Sequence, residues 1–279
     1  MAVPYYVAGD SHDRLELPER LCAYIDVLGF RGYVASLSED STKVACLKNT
    51  LETVHRPLQA GLANRTALEY RTQSISDAVA ISVIPTVEGM VELFITLEFL
   101  VMALLASGYF VRGAITKGRL YHDDTTVFGD ALVRAYDLER TVVRYPRIMI
   151  TSEAAAIANE TDKLSKVCRG HMRVDEDGPR YLHVLHRMQS ELEAEKGGVD
   201  KDTTDKFGKY YFVRQQICLR YNVATDNPRH FEKVKWFARY WNRTIPVGAS
   251  SLLIQGAVSR LTKSTKTEPL PRPLTPQSS

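Results

Sequence analysis

Apolar and polar positions along this chain alternate between short β-type runs and longer stretches with the helical step. Residues 21–28, LCAYIDVL, read as a strand, and Gly29 permits a sharp exit from it. Across 38–63, Val44, Leu47, Leu51, Val54 and Leu58 recur every three or four residues, which predicts a helix that Pro57 ends or kinks. Residues 70–84 read as a hairpin with arms YRTQSIS and AVAISVI and with Asp77 at or near the turn. A helix follows over about 88–107, then a strand over 109–122 interrupted by Gly113 and Gly118. A second helix, 128–142, is entered through Gly129 and puts Ala131, Leu132, Ala135 and Leu138 on its apolar side; a short strand follows at 147–151. The order strand, helix, hairpin, helix, strand, helix, strand predicts an α+β sandwich, a mainly antiparallel sheet with helices on one side.

Beyond Cys168 the pattern changes. VDEDGPRYLHVL (174–185) turns at Asp-Gly-Pro before an apolar run. Residues 200–221 and 228–242 read as helices rich in aromatics and Lys/Arg, packing on the core or on a second subunit. KGGVDKDTTDK (196–206) lacks the GK[ST] of a Walker loop and reads as a solvated linker. The segment 264–279 holds four of the 12 prolines and no apolar period, so disorder is expected there. Residues 93–111 have the apolarity of a membrane span, but Glu98 sits near the middle and a Ser-Gly break interrupts the end. A core helix is the expectation, with no membrane.

Composition adds exclusions. The net charge is +3, from 36 basic and 33 acidic residues, which gives no general nucleic-acid-binding surface. Cys22, Cys46, Cys168 and Cys218 form no CxxC pair, and the N-terminus has no secretory pattern; reduced thiols in the cytoplasm are expected.

The candidate chemistry centres on two acids, Asp26 in AYIDVLGF (23–30) and Asp77 in SISDAVAIS (74–82). Each lies in or beside an apolar run where solvation is poor. Two carboxylates on neighbouring strands can hold a pair of divalent ions that clamp a triphosphate. Taken singly, Asp26 also reads as a strand-end carboxylate capping a turn and Asp77 as a turn residue. Arg112, among Phe110, Val111, Ala114 and Ile115, needs an anionic partner: a phosphate, or a core acid that includes Asp77. Arg134, taken singly, reads as part of a solvated helix face. His183 and His186, in HVLH, have a spacing that could bind metal on a helix, but no third ligand is obvious and a packing or surface role is expected.

Together these segments resemble a known family. AYIDVLGF is similar to the first metal motif of the class III nucleotidyl cyclases and SISDAVAIS to their second. VRGAITKG (111–118) and FGDALVRAYDLE (128–139) resemble the strand and helix that follow in that family. YIDVLGF, the SD in place of GD, the RGAI strand, DEDGPRYLHVL and KWFARYWN (235–242) resemble more narrowly the pyrimidine cyclases of the bacterial Pycsar antiphage system, over about residues 20–245. The resemblance implies a class III cyclase-like fold of the ferredoxin or palm type, with an antiparallel sheet, helices on one side and C-terminal helices added. It implies an N-terminal arm (1–18), a cyclase catalytic domain (19–190), a helical extension (191–262) and a disordered tail (263–279).

The implied activity is conversion of UTP to 3′,5′-cyclic UMP and pyrophosphate, with CTP and cyclic CMP as the alternative. The implied cofactors are two divalent cations, Mn²⁺ or Mg²⁺, held by Asp26, Asp77 and the Val27 carbonyl. Gly29 and Phe30 would offer N–H groups to the phosphates; Gln73 and Thr126 occupy the base-reading positions, with Tyr70 filling space beside a pyrimidine. Implied partners are a second copy, head to tail with sites at the interface, and an effector protein that senses the cyclic nucleotide. Val133 and Asp137 stand where ordinary class III cyclases carry a transition-state Asn and Arg. That departure leaves Arg112 and Arg134 as replacement candidates, and it motivates an alternative, a nucleotide-binding module without turnover.

Overall fold

The computed structural model describes residues 17–30, 42, 44–45, 48–49, 67–75, 78–195 and 204–256. Asp77, most of the helix expected over 38–63 and the Pro-rich segment 264–279 lie outside the described residues.

Among the described residues the main sheet has seven strands. In chain order they are β1 (Glu19–Val27), β2 (Arg71–Ile75), β3 (Ala78–Val83), β4 (Val111–Arg119), β7 (Ile148–Ile150), β8 (Met172–Val174) and β9 (Arg180–Leu182). Their order in space is β2-β3-β1-β4-β7-β9-β8, antiparallel throughout except for the parallel β4–β7 pair. A two-stranded ribbon, β5 (Tyr121–His122) with β6 (Val127–Phe128), branches off after β4. Among the described residues the bounded helices are α1 (Val87–Ala106), α2 (Asp130–Thr141), α3 (Ser152–Ala155), α4 (Lys163–Gly170), α5 (His186–Glu193), α6 (Thr204–Val223) and α7 (Pro228–Thr244).

This is the α+β class expected. The hairpin, both central helices and the β7 strand fall within a residue or two of their expected bounds. β4 runs unbroken through Gly113 and Gly118 because each glycine fills a place where a side chain would collide. At Gly113 a Cβ would stand 2.4 Å from the Tyr24 carbonyl oxygen, so only glycine lets β4 lie this close to β1.

The pleat of β1 divides the molecule. Leu21, Ala23, Ile25 and Val27 face a large core that takes in Leu93, Leu97 and Leu104 of α1. The same core holds Phe207, Tyr210, Val213 and Ile217 of α6 and Phe237 and Trp241 of α7, so the C-terminal helices close it. Helices are not confined to that side. On the other face α2 sets Ala135 and Leu138 over Tyr24, Ala114 and Met149, and Ala131 over Cys22 and Leu120. By length and composition α1 could cross a membrane; it is a buried helix here, capped by Thr86 and ended at Gly108 with φ +79°.

Candidate active site

Asp26 is the last polar residue of β1. Its Cα partners are Ala78 on β3 and Arg112 on β4, and residues paired across strands share a face. Asp26, Tyr24 and Arg112 therefore occupy the α2 face, away from the large core. Val27 ends the strand on the core side, and Gly29 makes the exit turn with φ +80°, a left-handed conformation that favours glycine. Phe30 packs against the core directly after it.

Arg112 is gripped by two carboxylates. Its Nε lies 3.4 Å from Asp26 Oδ2 and in closer contact with Glu139 Oε1, while its Nη1 reaches the Val143 carbonyl at 3.5 Å. Of the two kinds of partner left open by the sequence, acids are the ones present in the chain itself, Glu139 on α2 and Asp26 on β1. Glu139 Oε1 is buried and, although pressed on Arg112, has no hydrogen bond in line. Burial pushes the Glu139 carboxyl up to about 7; Arg112 opposes that, and the charge of Asp26 and a hydrogen bond shared with it add to it. Near neutrality this carboxyl can hold or release a proton beside Asp26.

A second cation comes from the C-terminal region. Lys233, half-buried on α7, interacts electrostatically with Arg112, Asp26 and Glu139; burial and Arg112 lower its pKa, and the two acids oppose the shift. Arg144 pairs with the neighbouring Glu232 at 2.5 Å, and Tyr145 stacks on Trp236 with centroids 5.6 Å apart. These contacts hold the start of α7 against the segment after α2.

Gln73 sits two strands from β1. It pairs with Ala80, which pairs with Tyr24, so Gln73 shares the face of Asp26. Its Nε2 donates to the Thr125 carbonyl at 2.7 Å, bringing it to the loop that carries Thr126. Asp123 fixes that loop: its Oδ1 accepts from Thr125 N at 2.8 Å and Thr126 N at 2.7 Å, and these bonds hold its carboxyl well below the usual range. Gln73 Oε1 is buried and unpartnered among the described residues, an acceptor open to a ligand N–H.

Two sequence candidates lie elsewhere. Tyr70 packs on the large core, three residues and hence one face away from Gln73. Arg134 donates to the Lys117 carbonyl at 3.2 Å and pairs with Glu153 at 3.5 Å. Lys117 is five residues along β4 from Arg112, roughly 16 Å by strand rise, so Arg134 does not meet Asp26 within one chain. Val133 is 57% exposed and Asp137 is exposed on the same helix.

Glu139 and Lys233 are the residues that sequence reasoning missed. Glu139 had a signal: with Ala131 and Ala135 it continues a four-residue step on the buried side of α2. Lys233 had none, because it meets the site only through the packing of α7.

No protein-family model matches the chain and no curated protein matches it. Solved structures resemble it in part. The dimeric guanylyl cyclase domain of the RhoGC fusion protein from the aquatic fungus Blastocladiella emersonii matches with 13% identity, 60% of this chain, 93% of that one and a TM-score of 0.41. The guanylate cyclase domain of RhGC from Catenaria anguillulae, in complex with GTP, matches with 13% identity, 60% of this chain, 94% of that one and a TM-score of 0.38. A bacterial light-regulated adenylyl cyclase matches with 14% identity, 60% of this chain, 52% of that one and a TM-score of 0.38. These overlaps are too loose to carry an activity over to this chain.

Proposed function

We propose that the protein is a pyrimidine nucleotide cyclase that converts UTP to 3′,5′-cyclic UMP and pyrophosphate. One juxtaposition supports the reading above others: Asp26 shares a sheet face with Gln73, whose open carbonyl adjoins the Thr125–Thr126 loop. Two inter-strand steps and two residues separate them, roughly 12 Å, the scale of a nucleoside triphosphate laid across β1 and β3.

Hard oxygen donors at the phosphate end suit a divalent cation: the Asp26 carboxylate and the Val27 carbonyl, with the buried Oε1 of Glu139, which lacks a hydrogen bond among the described residues, beside them. Mn²⁺ or Mg²⁺ held by Asp26, the Val27 carbonyl and Asp77 would neutralise triphosphate charge and acidify the 3′-hydroxyl. The chain's own groups do the rest. Gln73 Oε1 accepts from the base, and Thr126 contributes a hydroxyl that donates or accepts. Gly29 and Phe30 present backbone N–H groups past the strand end. Arg112 and Lys233 place positive charge where the α-phosphate and leaving group gain negative charge, the task given up by Val133 and Asp137. Glu139, with its carboxyl near 7, holds or passes a proton beside Asp26. Arg134 can take part only from a second copy, in the head-to-tail homodimer that the motif resemblance implies. Production of a messenger for an antiphage effector protein rests on that resemblance alone.

The purified protein, incubated with Mn²⁺ and each of UTP, CTP, ATP and GTP, should release pyrophosphate and give a product with the mass of cyclic UMP. Cyclic CMP alone would select the alternative substrate. A purine product would overturn the pyrimidine assignment. Nucleotide binding with no product from any triphosphate would favour a regulatory module, the reading motivated by the exposed Val133 and by Arg112 lying on Asp26.

A further inference from the structure

The large core contains a polar cluster that the proposed reaction does not use. Glu98, in the middle of apolar α1, is buried, and its Oε1 is in short contact with Nδ1 of His171, the residue that ends α4. The His171 ring lies 3.9 Å, centroid to centroid, from the ring of His186, the first residue of α5. One ligand atom from each of the three side chains lies within 4.8 Å of the others. A carboxylate in an apolar helix costs several kcal/mol unless it is compensated, and a single imidazole leaves its remaining lone pairs unused.

His186 is the telling member. Its side chain makes no hydrogen bond among the described residues, although half-buried beside Glu98 and His171. His183 is the opposite case. Its Nδ1 is 2.7 Å from Tyr240 Oη and its Nε2 2.8 Å from Gln189 Oε1, so both ring nitrogens are taken. The HVLH pair thus splits into one satisfied ring and one open ring.

We propose that Glu98, His171 and His186 form a binding site for a divalent transition-metal ion, Zn²⁺ by its donor set, that ties α1 to the end of α4 and the start of α5. Two imidazoles and one carboxylate suit zinc, with water as the fourth ligand. Mg²⁺ and Ca²⁺ prefer all-oxygen cages. Zinc bonds of about 2.0–2.1 Å set tetrahedral ligand atoms about 3.3 Å apart, so on binding the short Glu98–His171 contact opens to admit the ion while His186 closes on it. The site belongs to the α1 side of the sheet, whereas Asp26 faces α2, so the two can be separated by experiment.

The full chain, stripped with EDTA and desalted, is titrated with Zn²⁺ and read by metal content and thermal melting, with Co²⁺ absorption as a direct probe of the ligand field. Wild-type protein should retain one Zn²⁺ per chain through desalting, raise its midpoint by at least about 3 °C and show a tetrahedral Co²⁺ spectrum. His186→Ala should lose all three responses; without metal it should melt a few degrees below metal-free wild type, because the ring contact with His171 is lost but no hydrogen bond is. Asp26→Asn should keep them. No bound zinc in wild type at tenfold excess, undiminished binding in His186→Ala, or loss in Asp26→Asn would overturn the proposal.

Discussion

Two arginines sit side by side in the centre of the sheet and are treated differently. Gly113 N donates to the Arg147 carbonyl at 3.1 Å, so Arg112 and Arg147 belong to adjoining backbone. Arg147 has a side chain 2% exposed, with a two-pronged bond to Asp177 at 2.9 and 2.6 Å and a short contact to Asp175. Arg112 is 23% exposed, with Asp26 at 3.4 Å and Glu139 pressed close but out of line. The first guanidinium has the Asp177 carboxylate in a fork that fits its two terminal nitrogens, the geometry of a structural ion pair, and leaves only its Nε without a hydrogen bond among the described residues. The second shares its Nε between two acids, and Glu139 Oε1 is left buried without a hydrogen bond among the described residues, which costs stability. On the proposed reading a ligand completes the Arg112 set, which would put Arg112 in the site and Arg147 in the scaffold.

The sharpest test of that division is Asp26→Asn. It should abolish pyrophosphate release from UTP while leaving the circular dichroism spectrum and melting midpoint near wild type; near-normal turnover would remove Asp26 from the site. Arg147→Ala should do the reverse, costing about 3–5 kcal/mol in urea unfolding by stranding Asp175, with turnover per folded molecule retained. Arg112→Ala should lower kcat by about 100-fold, the scale of one preorganised donor, and an unchanged rate would make it a second Arg147.

A smaller effect is expected from Glu139. Its folded carboxyl pKa is about 7, above the ordinary 4.5, so the folded chain binds the extra proton between those values. The stability this group contributes is therefore complete below about 4.5 and is lost as pH rises through about 7. Glu139→Gln should flatten that part of the urea-midpoint profile. Smallest of all, Arg134→Ala should change stability by less than about 1 kcal/mol, because the Arg134–Glu153 pair is exposed.

The β elements were readable because their period and turns are local properties. Both arms of the 71–83 hairpin and the passage from α1 into β4 follow from patterning alone. The face covered by α2 was harder, since the apolar positions Ala131, Ala135 and Leu138 do not say which side of a sheet they meet. Gln73 and Thr126 were named from motif positions, and the structure brings Gln73 to the Thr125–Thr126 loop through a backbone bond that no spacing rule contains. The partner of Arg112 was legible only as an acid, and Glu139 supplied it from a helix 27 residues on. His171 and Glu98 carried no shared pattern because they meet through tertiary packing of α1 against α4.

The closure of the large core by α6 and α7 limits how far the protein can be trimmed. A polypeptide stopped before Thr204 would keep every described strand but bare the part of the large core that Phe207, Tyr210, Phe237 and Trp241 now fill. Oily surface of that extent drives clumping in water. It would also lack Lys233, so fragments cut at the last strand should come out insoluble and short of one charge at the reacting end.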